Sequence, residues 1–305
     1  MIFKYLIKVP ASSTNLGAGF DSLGLALDLY LEIQVQEGTA KGIDIDVTGE
    51  GANQLKKNVR ENLIWKVLQN VFVSEKKAIP NLKLSVCNQI PLASGLGSSA
   101  AAIVGALGVF EALTGQELTE EKFFRYALAF ENHPDNLSAA RFGGFTVSCV
   151  NDEDQVSCIR LKIANPIKIL LVVPDFHLAT FQSREVLPDD LRIDDIIFNI
   201  QHAALTVAAL TSGQFQFLRE SLSDKLHQPY RVSLIPGLSE VLKLSFENIS
   251  GLLGVSLSGA GPSVLCFFDG ESRKIFQRIQ GIFNKHGINC RPFELQIDNL
   301  GRSIQ

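Results

Sequence analysis

The sequence lacks the features that mark an exported, disulfide-stapled protein. Its five cysteines, Cys87, Cys149, Cys158, Cys266 and Cys290, are odd in number and widely spaced. That spacing argues against a disulfide framework and against a zinc site; most of the five lie in apolar, strand-like runs and read as buried free thiols of a reducing cytoplasm. The opening MIFKYLIKVP has too short an apolar run for a signal peptide, so a cytoplasmic location is expected. Positive charge is not in excess: 28 Lys and Arg against 32 Asp and Glu give a net charge of −4, which speaks against general affinity for nucleic acid or an anionic membrane. Gly-Lys-Ser/Thr occurs nowhere, so an ordinary P-loop is absent.

What is present is a chain of 305 residues, 46% hydrophobic and 20% charged, with core enough for two ordinary domains or one large one. Its most telling stretch is IPLASGLGSSAAAIVGALGVF, Ile90 to Phe110. An alternating apolar run (Leu82, Leu84, Val86) leads through Gly95, Gly97, Ser98 and Ser99 into an Ala-rich segment with helical spacing. Glycines allow positive φ and let a ligand approach the main chain, and the following helix offers free N–H groups and the positive end of its dipole. A phosphate suits such a cradle, held by backbone and hydroxyls instead of a loop lysine.

Other readings of the stretch fit less well. Its 21 uncharged residues could span a membrane, but Pro91, three serines and four glycines interrupt them. Gly95, Gly97 and Ala100 match the form G-x-G-x-x-A, yet a dinucleotide fold needs a strand after the helix. Here a second helix, LTEEKFFRYALAFEN, follows. A bare structural turn does not need four small residues in succession from Ser98 to Ala101.

Along the chain, residues 2 to 9 read as a strand and Pro10 as the start of a polar loop, ASSTNLGAGFD, dense in hydrogen-bonding groups. Strands are expected in LGLALDLYLEIQVQEG and IDIDVTGEG, and an amphipathic helix from Asn53 to about Ser74. Thr119 with Glu120 and Glu121 starts a helix that runs to Asn132. Pro134 opens a short helix closed by Gly143-Gly144, and GFTVSCV with VSCIRLKI forms a hairpin. A buried strand IKILLVVPDF begins the second half; helices follow, then two strands joined by the small-residue turn SLSGAGPS, helix SRKIFQRIQGIFNKHG and a last strand CRPFELQI. That turn is richer in small residues than chain reversal requires, so it either is a tight hairpin or presses against the first glycine loop. Without regular βαβ alternation the class is α+β.

Three segments together, PASSTNLGAGFDSLGLAL, PLASGLGSSAAA and GVSLSGAGPS, resemble in order and separation the three motifs of the GHMP small-molecule kinases. The first motif, HPDN at 133 to 136, PDFHLATFQSREVLP at 174 to 188 and LHQPYR at 226 to 231 are similar to those of members that phosphorylate L-homoserine. The resemblance implies a two-domain GHMP kinase fold, residues 1–163 and 164–305. The N-terminal half would have ribosomal protein S5 domain 2-like topology with a left-handed βαβ crossover, and the C-terminal half a ferredoxin-like α/β sandwich. It implies ATP and Mg2+ as cofactors, and phosphorylation of the L-homoserine hydroxyl on the route to threonine. Partners would be these small molecules, with no nucleic acid and no membrane; a homodimer is left open.

Carried over residue by residue, the resemblance assigns the phosphates to Pro91, Leu92, Ala93, Ser94, Gly95, Leu96, Gly97, Ser98, Ser99, Ala100 and Ala101. Glu131 and Ser99 match the metal ligands, since Mg2+ prefers a carboxylate and few other protein oxygens. Asn62 matches a position that reads adenine, though an asparagine at a helix start is also a common cap. Arg184 and Arg231 match carboxylate-binding arginines, whose planar forks suit that group; Asp21 and Asn15 face the ammonium end. Asn136 stands nearest the reacting hydroxyl, with Thr180 assisting. An amide cannot take up a proton, so the expected chemistry has no side-chain base and the proton passes to the phosphate. His133 would be the alternative base. Two rival readings remain: a GHMP kinase for another alcohol, and a ligand-sensing protein that kept the fold without catalysis.

Overall fold

The computed structural model describes residues 4–38, 42–55, 59–176, 178 and 180–305. The first sheet is built on a long antiparallel pair, β1 (Lys4–Thr14) and β2 (Leu23–Glu37). β2 pairs through Leu31–Glu37 with β4 (Leu82–Asn88), and β4 pairs in parallel with β3 (Ile43–Gly49). The parallel pair requires a crossover, which contains α1 (Leu63–Ser74). At its other end β2 meets β5 (Phe145–Val150), which forms the expected hairpin with β6 (Val156–Leu161). Against this sheet pack α2 (Ser98–Thr114) and α4 (Pro134–Phe142), with α3 (Glu120–Leu128) beside them.

The expected loop at Pro10 is instead the far half of β1. Pairing with β2 continues to Thr14, and the register slips between Pro10 and Ala11, from Tyr30 to Leu27. Proline has no N–H for the ladder, and a bulge is where a strand tolerates it. Of the helix expected from Asn53, the described residues form a single turn at Ala52–Leu55, a 3-10 turn at Val59–Glu61 and the regular helix α1 from Leu63, with residues 56–58 outside the described residues. The next helix stops at Leu128, short of Asn132.

The second sheet has order β10-β7-β9-β8, antiparallel throughout, from β7 (Lys168–Pro174), β8 (Leu252–Leu257), β9 (Val264–Phe268) and β10 (Cys290–Leu295). Between β7 and β8 lie α5 (Thr180–Glu185), α6 (Ile193–Ser212) and the single turn α7 (Gln228–Arg231); α8 (Ser272–Lys285) joins β9 to β10. This is the βαββαβ order of ferredoxin-like sandwiches, with helical insertions. Strand alternation divides the core. Ile169, Leu171 and Val173 face the large apolar cluster of the first sheet, whereas Leu170 and Val172 face Ile275, Ile279 and Phe283 of α8. The chain does not end at CRPFELQI. It returns to the first sheet, where β11 (Ser303–Ile304) pairs with β1.

Of the five cysteines, all free, only Cys266 is buried; Cys87 and Cys149 are exposed, on solvent-facing strand positions that an apolar run in sequence does not reveal. Among the described residues only α6 is long and apolar enough to cross a membrane. Its first turn carries Asp194 and Asp195, and one face leaves Ile193, Ile197 and Ile200 exposed.

Candidate active site

A cleft opens where the end of β1, the glycine loop, the N-termini of α2 and α4, and the turn between β8 and β9 converge. The loop takes left-handed backbone at Ala93, Gly95 and Gly97. A Cβ on Gly97 would lie 2.0 Å from Ser12 Oγ and 2.8 Å from Asn136 Oδ1, so the loop meets the sheet with no room for a side chain. Gly97 precedes α2 with no side-chain cap. The first intrahelical bond is donated by Ala101 N–H to Gly97, 2.8 Å, which leaves the amides of Ser98, Ser99 and Ala100 outside the helical ladder at the positive end of the dipole.

The second glycine turn does press against the first. Ser258 Oγ donates to Gly95 O at 2.7 Å, and Ser263 N–H donates to Ser94 O at 3.2 Å. A Cβ on Gly95 would lie 2.1 Å from Ser258 O. Pro91 and Ala93 to Ser99 line the cleft, while Leu92 faces an adjoining cavity with Pro91, Ser94, Phe176 and Arg291. Ala100 and Ala101 are fully buried, and their side chains pack the helix onto the sheet.

Asn136 sits at the floor of the cleft. Its Oδ1 accepts from Ser12 Oγ (2.8 Å) and its Nδ2 donates to Thr14 Oγ1 (3.2 Å). Beside it lies Asp135, a carboxylate only 2% exposed, whose Oδ1 accepts from the Asn136 backbone N–H at 2.6 Å. Burial, reinforced by the charge of Asp21, pushes the Asp135 carboxyl up to about 6. Nothing in the sequence sets this acid apart from its neighbour Asn136: a carboxylate in the first turn of a helix is ordinary, and only its burial distinguishes it.

The opposite wall is charged. Arg184 Nη2 donates to both oxygens of Asp21, at 2.6 and 2.7 Å. Arg231, 2% exposed, donates from Nε to Ser183 O (3.1 Å) and from Nη1 to Gly259 O (3.0 Å). Burial and the charge of Arg184 push it down to about 10, so it remains a cation at neutral pH. Both guanidiniums lie over the ring of Phe20, 4.9 and 5.4 Å from its centre. Asn15 lines the cleft but is largely committed to holding it: Nδ2 donates to Gly259 O and Oδ1 accepts from Asp21 N–H.

Glu131 and Ser99 line the same cleft, with His133 3.8 Å from Glu131 and 3.9 Å from Asp21. Among the described residues no three His, Cys, Asp or Glu side chains converge as a metal cage. One carboxylate and one hydroxyl fit Mg2+, which keeps waters and takes most of its ligands from substrate phosphates. Asn62 lies away from these walls and caps α1, accepting from Ile64 N–H at 2.9 Å. Thr180 opens α5, but its side chain lies outside the described residues.

A cleft that presents free helix amides to an anion and two arginines with an aspartate to a second ligand defines a kinase of small molecules. Residues 62–144 match the model of the GHMP kinases N terminal domain and residues 206–285 that of the GHMP kinases C terminal domain. The chain belongs to the GHMP kinase family. Within it the chain is similar over its whole length to homoserine kinases. The homoserine kinase of Moorella thermoacetica is 38% identical over 98% of this chain and 99% of its own length, and that of Aquifex aeolicus 39% identical over 98% of each. The crystal structure of homoserine kinase from Cytophaga hutchinsonii superposes with a TM-score of 0.86 at 24% identity, covering 99% of this chain and 97% of that one. Mevalonate kinase from L. major shares the fold at a TM-score of 0.71 and 15% identity, with 96% and 95% covered.

Proposed function

We propose that this chain transfers the γ-phosphoryl group of ATP to the side-chain hydroxyl of L-homoserine, giving O-phospho-L-homoserine for threonine biosynthesis. The observation that carries the reading is the Arg184–Asp21 pair, with Arg231 beside it, in the same cleft as the free amides of α2. A zwitterionic alcohol supplies a carboxylate for the arginines and an ammonium for Asp21 and Asn15, and its hydroxyl then reaches towards Asn136. A sugar or an isoprenoid acid lacks the ammonium.

Phosphoryl transfer asks the protein mainly for positioning and charge neutralisation. The glycine loop from Pro91 to Ala101 would hold the phosphates, and Asn62 would read adenine; with Oδ1 in the helix cap, its amide nitrogen is the group left to meet an acceptor on the base. Glu131 and Ser99 would hold Mg2+, which supplies neutralising charge at the phosphates when bound. Asn136, fixed by Ser12, Thr14 and Asp135, would orient the hydroxyl with Thr180 assisting, and the proton would leave to a phosphate oxygen. The functional halves are proposed as residues 1–163 and 164–305, in a cytoplasmic enzyme that binds neither nucleic acid nor membrane. A homodimer would cover the exposed isoleucines of α6.

An ADP-release assay with homoserine, serine, threonine, mevalonate and galactose side by side tests the assignment. Turnover is expected with homoserine far above the others. Turnover confined to mevalonate or galactose would overturn it, and none with any alcohol would favour a sensor.

A further inference from the structure

Arg231 has five N–H groups, and the protein itself consumes three of them. Nε serves Ser183 O; Nη1 serves Gly259 O and, at 3.0 Å, the Nδ1 of His227. Among the described residues none takes the Nη2 edge, which is left for a ligand in the cleft that Arg231 lines. Guanidinium has no acceptor, so Nδ1 of His227 must carry the lone pair, and the ring proton must sit on Nε2, which donates to Gly17 O at 2.8 Å. The tautomer of one fully buried histidine therefore fixes the rotation of the guanidinium.

The ring is held from every side. Phe20 stacks on it, 5.1 Å between centres and 17° between planes, and is the same ring over which Arg184 and Arg231 lie. Asp224, 3.5 Å from Nε2, is occupied in capping α7: it accepts from the N–H groups of Leu226, His227 and Gln228 and from Asn199 Nδ2 of α6. His227 and Arg231 stand four residues apart, on one face of the turn. Burial and the adjacent guanidinium push His227 down, which keeps the ring neutral as the geometry needs.

Building on the homoserine reading, we propose that His227 is a positioning residue for substrate recognition: its Nδ1 holds the Arg231 fork so that Nη2 meets the substrate carboxylate. His227 touches neither the phosphate loop nor the hydroxyl end, so its influence falls on one ligand and on one group of that ligand. An acceptor placed where Nδ1 stands should replace it, and an isosteric apolar side chain should not.

The test compares wild type with His227→Asn, whose Oδ1 can occupy the Nδ1 position, and His227→Leu. The KM for homoserine is expected to rise tenfold or more in His227→Leu while the KM for ATP stays within twofold, and His227→Asn is expected to recover most of the loss. Calorimetric binding of homoserine carboxamide, which lacks the carboxylate charge, should differ less than threefold between wild type and His227→Leu. Equal rises in both KM values, or no recovery in His227→Asn, would overturn the proposal. If wild type does not accept homoserine, the functional reading fails by itself. The geometry is then judged by 15N NMR of the imidazole: an Nε2–H tautomer whose Nδ1 signal moves in Arg231→Met upholds it, and an Nδ1–H tautomer or a ring indifferent to Arg231 refutes it.

Discussion

Asp135 is held in the folded protein at an electrostatic cost. Its carboxyl is pushed up to about 6 from an ordinary 3.8, so the native state binds its proton more tightly than the unfolded chain does. Stability from this group is present below about pH 4 and is lost as pH rises through 6; two units correspond to about 3 kcal/mol at neutral pH. Asp135→Asn is therefore expected to raise the melting temperature at pH 7 to 8, with the gain shrinking as pH falls to 4, measured by calorimetry across that range. The same substitution separates two fates of the hydroxyl proton. In wild type kcat/KM should fall below about pH 6 as Asp135 protonates and loosens its hold on Asn136; in Asp135→Asn that limb should vanish. General bases contribute roughly 10²–10⁴-fold. Activity of the variant within tenfold of wild type supports direct transfer to phosphate, and a loss beyond a hundredfold makes Asp135 the base.

Among the elements, the contact between the two glycine turns decides whether the cleft exists. Gly95 combines left-handed backbone (φ 77°) with a site where a Cβ would lie 2.1 Å from Ser258 O. Gly95→Ala must therefore part the turns, and left-handed strain alone costs about 1–2 kcal/mol. A lower melting temperature and a rise of at least tenfold in the KM for ATP are expected. Gly281→Ala, in the exposed, open middle of α8, should instead stabilise by about 1 kcal/mol and leave both KM values alone. The glycine loop was legible because its signals are local: an apolar alternation, two glycines and a run of small residues in one stretch. The strand through Ser12, Ser13 and Thr14 was not legible, because these polar side chains are buried by partners more than 80 residues away. Ser12 bonds Asn136, Ser13 shares a hydroxyl–hydroxyl bond with Ser258, and Thr14 accepts from Asn136. Nothing in their own sequence distinguishes them from a surface loop. His227 lies in LHQPYR, a segment the sequence does single out, but its role is not legible there for the same reason, since it depends on Gly17 and Phe20, some two hundred residues earlier.

At the scale of the molecule, two sheets share one interior. Ile169, Leu171, Val173, Leu265 and Phe267 of the second sheet belong to the same buried cluster as Ile7, Val9 and Ile33 of the first. The C-terminal segment reinforces this union: it leaves β10, bonds Ala26 through Asp298, and ends with Gln305 exchanging both backbone bonds with Leu6 at 2.9 Å. On the way Arg302 pairs with Glu111 of α2, a carboxylate that burial pushes up and that otherwise has Arg141 at 3.3 Å. Deleting residues 302–305 removes β11 and strips one of the two cations from a buried anion, a change that costs about 3–5 kcal/mol. At roughly 1.6 °C per kcal/mol for a chain of this size, the melting temperature should fall by about 5–8 °C. Because the core is shared, the fall should appear in one transition: Trp65 fluorescence, which reports α1 beside the first sheet, and far-ultraviolet circular dichroism, which reports both sheets, should shift together. Separation of the two curves in the intact chain would mean that the common interior does not couple the halves. Separation only after truncation would assign that coupling to the returning segment.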